Sequence, residues 1–350
     1  MTEDCFEAVV PRAKEVTFRP FRIDDIDATE VVVETLFSGI SKGTEIRRYL
    51  GLASELEWHD GLSVYLNSKS SNRWPIRNGY ENVGRIVRCG STVDPSLKGR
   101  LIWTPSNHST HVVLKISDYE HGLIPAADDV GELENYTFVA RTRIAMAGIH
   151  DAEILLGDVV GVVGFGAVGF LAAQLALLSG ARKVYVLDTD PRPLQLASII
   201  DVSAILVENK ATAASIKETL GDILPDKIIE CSGTSAGLNL AMRLVRSEGT
   251  IVTISTYSSP SANDLGVDLM GEWGRNRLTL KSSMSVNNRS HRRSPLWTRQ
   301  RQEQVAIALI GQRDVIVHES MKRRYFFREL QTAYETLSKD GADSSALVVY

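Results

Sequence analysis

Residues 159–169 read Val159-Val160-Gly161-Val162-Val163-Gly164-Phe165-Gly166-Ala167-Val168-Gly169, and this stretch decides the fold. Its first half is a continuous aliphatic run of the kind that forms a strand buried on both faces. Its second half has G-x-G-x-x-G spacing and leads into the apolar, helix-type stretch Ala167–Leu178. Glycines permit the tight turn and the close helix–strand packing that such a junction needs. The stretch therefore predicts a strand, a tight turn and a helix.

The same junction predicts a dinucleotide site. Gly164 allows the turn, Gly166 lets backbone N–H groups approach a pyrophosphate, and Gly169 lets the helix pack close to the strand. The helix N-terminus at Ala167 and Val168 adds a dipole that favours the negative charge of a phosphate.

Asp188 predicts which dinucleotide binds. It ends the second predicted strand, Val184–Leu187, and follows Gly169 at the spacing of about 20 residues that the fingerprint requires. A carboxylate at this position accepts hydrogen bonds from the ribose hydroxyls of NAD and repels the 2′-phosphate of NADP. Arg192 leaves the choice partly open, because a guanidinium can contact an adenine or a phosphate. NAD is the expected cofactor.

Aliphatic runs and helix-type stretches alternate through the middle of the chain, a pattern typical of a parallel sheet covered by helices. The predicted fold class is α/β, with a doubly wound parallel sheet of Rossmann type. Ser232 and Ser255 follow two of the strands and are expected to bind the cofactor. The uncharged residues 159–181 could span a bilayer by length, but their glycines favour the strand–turn–helix unit. The predicted strands are Val159–Val163, Val184–Leu187, Ala204–Val207, Lys227–Cys231, Thr250–Ile254 and Leu278–Leu280, and the predicted helices are Ala167–Leu178, Pro193–Ile200, Ala211–Leu220 and Ala236–Val245.

Composition indicates a globular protein of about two domains. The chain has 350 residues, 43% of them hydrophobic, and its net charge of −4 gives no electrostatic basis for binding nucleic acid. Its three cysteines, Cys5, Cys89 and Cys231, are widely separated, which argues against a disulfide framework and suits a reducing cytoplasm. Residues 1–11 lack the apolar run of a secretory signal. We therefore expect a cytoplasmic protein whose partner is a small molecule, not nucleic acid or a membrane.

The two ends of the chain have a different character from its middle. Alternating segments such as Glu30–Phe37 and Glu81–Arg88, separated by turn signals, indicate a β-rich module in the first 125 residues. The last 50 residues contain a predicted helix, Phe326–Leu337, and a predicted strand, Ser345–Tyr350.

Together these motifs resemble the medium-chain dehydrogenase/reductase superfamily, the alcohol-dehydrogenase-like proteins, over nearly the whole chain. In the middle of the chain the resemblance rests on residues 157–160 (GDVV), 188–192 (DTDPR) and 228–233 (IIECSG). Nearer the N-terminus it rests on residues 38–45 (SGISKGTE) and 79–84 (GYENVG), which are most similar to the bacteriochlorophyllide dehydrogenase branch.

The resemblance implies a GroES-like, β-rich catalytic domain built from both chain ends around a Rossmann domain. The expected parts of the catalytic domain are residues 1–140 and 289–350, with the NAD-binding domain between them at residues 141–288. The resemblance also implies an oxidoreductase that forms a homodimer.

Two replacements predict that no zinc binds. Zinc-dependent members carry a Cys where Ser41 stands and a His where Tyr80 stands, and neither a hydroxyl nor a phenol is a usual zinc ligand. The third ligand would fall near Arg143, in a segment (Val139–His150) whose side chains are neutral or cationic. The structural zinc lobe of the family needs four cysteines between about residues 90 and 110, where only Cys89 is near.

The candidates for catalysis are the motif residues Ser41, Lys42, Thr44, Tyr80 and Glu81. Without a metal, side-chain donors must polarise the substrate oxygen, and the resemblance places the phenol of Tyr80 where an imidazole faces the substrate. A neighbouring ammonium favours a phenolate, and Lys42 is the candidate for that neighbour. The resemblance implies that Thr44 relays a proton and that Glu45 and Glu81 orient the cluster. Alternatively, Tyr80 only fills the vacated metal pocket and Lys42 is a solvated loop charge.

Other polar residues have structural interpretations. We expect His108 and His111 on a sheet edge, His150 in a core or capping role, and Cys231 as a packed thiol. The arginine-rich segment Arg289–Arg301 is expected to be a solvated loop.

The predicted function is that of a zinc-independent oxidoreductase. It would transfer hydride between NAD(H) and a secondary alcohol or ketone of a polar specialised metabolite in biosynthesis, such as a sugar, a cyclitol or a tetrapyrrole side chain. Two alternatives stay open: a reductase of C=C or C=N bonds with the same fold, and a non-catalytic NAD-binding protein.

Overall fold

The structure is a computed structural model that describes residues 5–52, 56–59, 61–62, 64–67, 74–125, 130–208, 212–221, 223–255, 257, 266–267, 269, 271–283, 296–339, 341 and 343–350. The chain divides into two compact units, one of Met1–Ala140 with Val317–Tyr350 and one of Arg141–Ile316. We call them the β-rich unit and the central unit.

The described residues form strands and helices that are numbered in chain order. The strands are β1 Cys5–Arg12, β2 Glu15–Phe21, β3 Glu30–Ser41, β4 Leu56–His59, β5 Val64–Asn67, β6 Asn82–Cys89, β7 Leu101–Thr104, β8 His111–Lys115, β9 Val159–Val163, β10 Lys183–Asp188, β11 Ser203–Leu206, β12 Lys227–Glu230, β13 Thr250–Thr253, β14 Thr279–Ser282, β15 Arg324–Phe326 and β16 Ser345–Val349. The helices are α1 Arg47–Tyr49, α2 Val130–Asn135, α3 Val139–Ala152, α4 Ala167–Leu178, α5 Pro191–Leu194, α6 Ala213–Leu220, α7 Ser235–Leu244, α8 Glu272–Arg275, α9 Arg299–Gly311 and α10 Leu330–Leu337.

The central unit is built on a six-stranded parallel sheet with the order β11-β10-β9-β12-β13-β14. Strand β9 is buried along its whole length and pairs with β10 on one side and β12 on the other. A strand enclosed in this way needs apolar side chains on both faces, which explains the unbroken aliphatic runs. The predicted α/β doubly wound sheet is confirmed, and each predicted strand of this sheet agrees with the observed one to within two residues at either end.

One helix of the central unit differs from the prediction. The helix expected at 193–200 begins earlier, at Pro191, because the Asp190 side chain accepts the backbone N–H of Arg192 and caps it. Proline suits the first helical position, where no backbone hydrogen bond is lost. The α-helix then ends at Leu194 and continues as a tighter 3-10 turn, Gln195–Ile199.

The central unit extends to Ile316, beyond the boundary expected at residue 288. Helix α9 is held to it by the buried carboxylate of Glu303, which lies 3.4 Å from Arg143 Nε on α3 and 2.6 Å from Arg299 Nε. The side-chain amide of Gln174 on α4 also accepts the backbone N–H of Ile316 at 2.7 Å and donates to its carbonyl at 3.1 Å. Most of the arginine-rich segment, residues 289–295, lies outside the described residues.

The β-rich unit contains a second six-stranded sheet, in which the two ends of the chain meet. Its main path is β15-β16-β3-β6-β7, and β8 also pairs with β3. Strand β16 runs antiparallel to β3, with Ser345 opposite Ser41. Behind the sheet, Ile40, Leu330, Tyr334 and Val348 belong to one buried apolar cluster. The helix predicted at 326–337 is shorter, because Phe326 ends β15 and a 3-10 turn, Phe327–Glu329, precedes α10.

No described helix combines the length and the apolar character that a crossing of the bilayer would need.

Candidate dinucleotide site and catalytic cluster

The glycine-rich turn of the central unit is packed too closely to carry side chains at Gly164 and Gly169. Gly164 has a φ of +89°, and a Cβ there would lie 2.6 Å from the backbone nitrogen of Ser232. A Cβ on Gly169 would lie 2.0 Å from the carbonyl oxygen of Gly164. Helix α4 begins directly after Gly166, so the positive end of its dipole is at this turn. Backbone and dipole together form a cradle suited to a pyrophosphate.

Asp188 is held against this turn. It ends β10, and its Oδ2 accepts the backbone N–H of Phe165 at 2.6 Å. Its Oδ1 accepts the backbone N–H of Asp190 at 2.9 Å. Each carboxylate oxygen can accept more than one hydrogen bond, so the group is oriented by the backbone and can still receive ribose hydroxyls.

Arg192, the residue that left the cofactor choice open, is paired with Asp190. Its Nε lies 3.0 Å from Asp190 Oδ1 and 2.9 Å from Oδ2, and its Nη2 also contacts Oδ2. Both side chains are partly exposed, with 57% of Arg192 and 32% of Asp190 accessible to solvent.

A buried carboxylate that sequence reasoning missed shapes the turn after β12. Glu230 is fully buried and accepts the backbone N–H of Ser232 at 2.8 Å, together with the hydroxyls of Ser232 and Tyr257. Burial and the Glu230 charge raise the pKa of Tyr257, so its hydroxyl remains a donor. The hydroxyl of Ser255 donates to the Cys231 carbonyl at 2.7 Å. The sequence feature that could have identified Glu230 is its position as an acidic residue at the end of the strand just before Ser232.

Cys231 lies in the same turn and is partly buried. Burial, together with the charge of Glu230, raises the pKa of its thiol well above the ordinary value. This agrees with the expectation of a packed thiol.

The first candidate catalytic motif lies in the β-rich unit at the end of β3, where a π-helical turn, Lys42–Ile46, begins. Ser41 is buried, and its backbone N–H donates to Glu45 Oε1 at 2.9 Å. Lys42 is half-buried, with its Nζ 3.4 Å from the carbonyl of Lys339, while Thr44 is exposed. A contact between the Lys42 ammonium and the Tyr80 phenol stays a prediction.

The second candidate catalytic motif precedes β6, and Tyr80 in it is partly exposed. Its neighbour Glu81 is fully buried, and Glu81 Oε2 accepts the indole N–H of Trp103 at 3.1 Å and the backbone N–H of Ala140 at 3.0 Å. The Glu81 carbonyl accepts the backbone N–H of Gly39 at 2.8 Å. The structure therefore brings the two motifs onto neighbouring strands of one sheet, β3 and β6.

Glu45 is the centre of a buried hydrogen-bond network. Its Oε2 lies 2.8 Å from His108 Nε2 and accepts the Tyr334 hydroxyl at 2.8 Å. The other ring nitrogen of His108, Nδ1, lies 2.7 Å from Ser38 Oγ, which lies 2.9 Å from the Tyr350 hydroxyl. His108 lies just before β8, and its side chain is fully buried in this network.

Burial by itself raises the pKa of Glu45, but the His108 charge and the hydrogen bonds from His108, Ser41 and Tyr334 outweigh it and hold the pKa below its ordinary value. Burial and the Glu45 charge raise the pKa of Tyr334 well above its ordinary value, so the hydroxyl remains a donor. The network therefore fixes an ionised carboxylate directly behind Ser41.

His150 of the central unit packs against Trp297, with ring centroids 4.5 Å apart and the ring planes tilted by 53°. This contact is consistent with the packing role expected for it.

The sequence and the fold of this chain resemble those of known proteins. Residues 167–299 match the family of zinc-binding dehydrogenases. A zinc-binding dehydrogenase from Sinorhizobium meliloti 1021, solved with bound NADP, resembles this structure with a TM-score of 0.74 at 18% identity, over 99% of this chain and 100% of that one. The chain has the medium-chain dehydrogenase/reductase fold.

Two curated relatives of this dehydrogenase fold act on sugars or polyols by name. The D-guloside 3-dehydrogenase of Escherichia coli K12 is 27% identical over 230 residues, which are 65% of this chain and 64% of that protein. The sorbitol dehydrogenase of Bacillus subtilis 168 is 21% identical over 289 residues, 75% of this chain and 77% of that protein. The match to the guloside dehydrogenase thus spans just under two thirds of its length.

The residues that this chain places at the two motif positions do not suit a catalytic zinc. At the two motif positions the chain offers the hydroxyl of Ser41 and the phenol of Tyr80, whereas protein-bound zinc is held by thiolate, imidazole and carboxylate. Within the part of the chain that the structure describes, no three His, Cys, Asp or Glu side chains come together as a metal site would require. The match to the zinc-binding family covers 167–299 and leaves both motifs outside it.

Proposed function

We propose that this protein is a zinc-independent, NAD-dependent dehydrogenase that interconverts a secondary alcohol and a ketone on a sugar or polyol. The observation that carries the proposal is the Asp188 carboxylate, which two backbone N–H groups hold against a turn where Gly164 and Gly169 leave no room for a side chain. The sugar and polyol relatives support the substrate class. They give no support to a tetrapyrrole substrate.

The central unit is proposed to bind the dinucleotide. Gly164, Gly166 and Gly169 would receive the pyrophosphate at the start of α4, with Ala167 and Val168 supplying the helix terminus. Asp188 would accept the ribose hydroxyls, and a 2′-phosphate would place about two further negative charges against this carboxylate. Like charges at such a distance repel, so the site favours NAD over NADP.

The turns after β12 and β13 complete the proposed cofactor site. Ser232 and Ser255 lie there, and Glu230 and the Cys231 carbonyl fix their hydroxyls.

Bound NAD would supply the hydride acceptor for the alcohol carbon. The chain itself must then hold the substrate oxygen and remove its proton. Tyr80 is proposed to do both, since its phenol is partly exposed beside a buried, fixed Glu81. Lys42 would favour the phenolate by its charge, and the exposed hydroxyl of Thr44 would pass the proton to solvent. Ser41, whose backbone is fixed by Glu45, would orient the substrate hydroxyl.

Titration calorimetry with NAD and NADP tests the cofactor assignment. The wild type is expected to bind NAD more tightly than NADP. Asp188→Ala should weaken NAD binding by about 10- to 100-fold, the value of a charge-assisted hydrogen bond of about 1.5–3 kcal/mol. Tighter binding of NADP by the wild type would overturn the assignment.

Turnover over a panel of sugars, polyols and their ketones tests the reaction. Tyr80→Phe should lower kcat at least about tenfold with the NAD Kd unchanged. Tyr119→Phe, a partly buried tyrosine of the same unit outside both motifs, is the matched control and should leave kcat unchanged. Dialysis against a chelator should leave activity intact, and stoichiometric zinc in the purified protein would contradict zinc independence.

Product analysis separates this proposal from its rivals. Oxidation of a secondary alcohol supports it, whereas reduction of C=C or C=N bonds alone would replace it. NAD binding without turnover over the whole panel would favour a non-catalytic protein. The homodimer expected from the resemblance is tested by light scattering.

A further inference from the structure

A second carboxylate stands two residues beyond Asp188. Asp190 lies between the end of β10 and the start of α5, and its backbone N–H donates to Asp188 Oδ1 at 2.9 Å. The two carboxylates are therefore linked through the backbone at the position where the proposed function places the adenosine ribose.

Asp190 also binds the side chain of Arg192, the cation of this segment. Residues 188–194 read DTDPRPL, so Arg192 is the sole basic residue among them. Asp190 Oδ1 accepts the Arg192 backbone N–H and Nε, at 2.9 Å and 3.0 Å, and Oδ2 accepts Nε at 2.9 Å and also Nη2. The guanidinium therefore makes with Asp190 the paired hydrogen bonds that it could otherwise make with a phosphate.

We propose that Asp190 is a specificity-determining residue that discriminates against NADP, by holding the Arg192 guanidinium and by adding a second negative charge beside Asp188. The inference rests on the proposed dinucleotide function. A 2′-phosphate needs a cation, and the cation that lies near is already bound to a carboxylate of the same turn. The hydrogen bond and charge of Arg192 also lower the pKa of Asp190, so this carboxylate is ionised at neutral pH.

Because Asp190 holds Arg192, a change at Asp188 alone should not release the guanidinium. Removing the Asp188 carboxylate takes away one repulsive charge but leaves Arg192 paired with Asp190. Converting the site to NADP therefore requires the change at Asp190. Asp190→Asn is the informative variant, because Asn caps a helix about as well as Asp and so preserves the hydrogen bond to the Arg192 backbone.

The experiment measures dissociation constants for NAD and NADP by titration calorimetry, at one fixed ionic strength. The proteins are the wild type, Asp190→Asn, Arg192→Ala and the double variant Asp190→Asn/Arg192→Ala. For Asp190→Asn, the NADP Kd should fall by about two- to fivefold, the scale of one partly exposed ion pair. The NAD Kd should change by less than about twofold. In the double variant most of this gain should disappear, because the released guanidinium is gone.

The chain offers a matched control in Asp94-Pro95-Ser96. Asp94 caps a turn in the same way, accepting the Ser96 N–H at 2.9 Å in front of a proline, but it lies in the β-rich unit. Asp94→Asn should leave both dissociation constants unchanged. Asp190→Ser, in which a hydroxyl keeps the cap, provides a second test should the Asn variant unfold.

The outcomes separate the two proposals. An unchanged NADP Kd in Asp190→Asn would overturn the role of Asp190 while leaving the proposed function standing. A gain fully retained in the double variant would overturn the part assigned to Arg192 and leave only the charge of Asp190. Failure of the wild type to bind either dinucleotide would overturn the proposed function and this inference with it.

Discussion

Replacing His108 by Leu should destabilise the β-rich unit by about 1–3 kcal/mol, the usual cost of leaving a buried hydrogen-bonding group without one of its partners. The imidazole contacts Glu45 Oε2 at 2.8 Å and Ser38 Oγ at 2.7 Å, and all three side chains are fully buried. Without the ring, Glu45 keeps the Ser41 N–H and the Tyr334 hydroxyl but loses its hydrogen bond to the imidazole. Since about 1.4 kcal/mol is a factor of ten in an equilibrium constant, the equilibrium constant for unfolding should rise by about 5- to 140-fold.

A double-mutant cycle isolates the pair. Glu45→Gln removes the charge and keeps the shape, and the combined variant His108→Leu/Glu45→Gln should cost less than the sum of the two single changes by about 1–3 kcal/mol. His111→Leu, a partly buried histidine on β8, is the control and should cost less than about 1 kcal/mol.

The Glu45 carboxylate should make the folding stability depend on pH in the acidic range. The pKa of Glu45 is held below its ordinary value of 4.5 in the folded protein. A depressed pKa contributes stability above the unfolded pKa, and this stability is lost as the pH falls through the folded pKa. The stability difference between the wild type and Glu45→Gln should therefore be constant above about pH 5 and shrink below pH 4.5.

The assay must report on the β-rich unit alone. Of the five tryptophans, Trp58, Trp74 and Trp103 belong to residues 1–140, whereas Trp273 and Trp297 belong to the central unit. In a background with the last two changed to Phe, urea unfolding followed by tryptophan fluorescence reports on the β-rich unit. Single costs below 1 kcal/mol with no coupling, or a pH profile identical in the wild type and Glu45→Gln, would refute the reasoning.

Three further changes have definite outcomes. Gly169→Ala should abolish measurable NAD binding and lower the melting temperature, because its Cβ would lie 2.0 Å from the carbonyl oxygen of Gly164. Gly274→Ala on α8 has nothing within 4 Å of the new methyl, so it should raise stability in urea by about 0.5–1 kcal/mol. Glu230→Gln should cost about 1–3 kcal/mol in urea unfolding followed through the central-unit tryptophans, Trp273 and Trp297. It should also weaken NAD binding in calorimetry, since an amide cannot accept all the donors that now converge on the carboxylate.

The strands and helices of the central unit could be predicted because the sequence patterns that specify them are local. Enclosed strands such as β9 need unbroken aliphatic runs, and the glycine spacing marks a turn in which Gly164 approaches the Ser232 backbone. The elements therefore follow from windows of ten to twenty residues. The extent of this unit was not readable, because α9 belongs to it through the Glu303 ion pairs, which leave no periodic trace in the sequence.

The network behind Ser41 was not readable for the same reason. Glu45 pairs with His108, 63 residues away, and with Tyr334, 289 residues away. Nothing in the spacing of these residues distinguishes a buried partner from an exposed side chain. The sequence motif around Ser41 predicts a catalytic segment. The residues that hold this segment in place come from distant parts of the chain, which meet because β16 pairs with β3.

Each proposed functional segment is backed by one fully buried glutamate. Glu45 binds the N–H of Ser41, Glu81 lies directly after Tyr80 and binds the Gly39 N–H through its carbonyl, and Glu230 binds Ser232. A buried carboxylate is costly unless several donors converge on it, and such convergence fixes the geometry of the backbone that supplies them. These glutamates thus relate stability to function: their conservative Gln variants should loosen the adjoining motif residues, and so should raise KM or Kd before they unfold the chain.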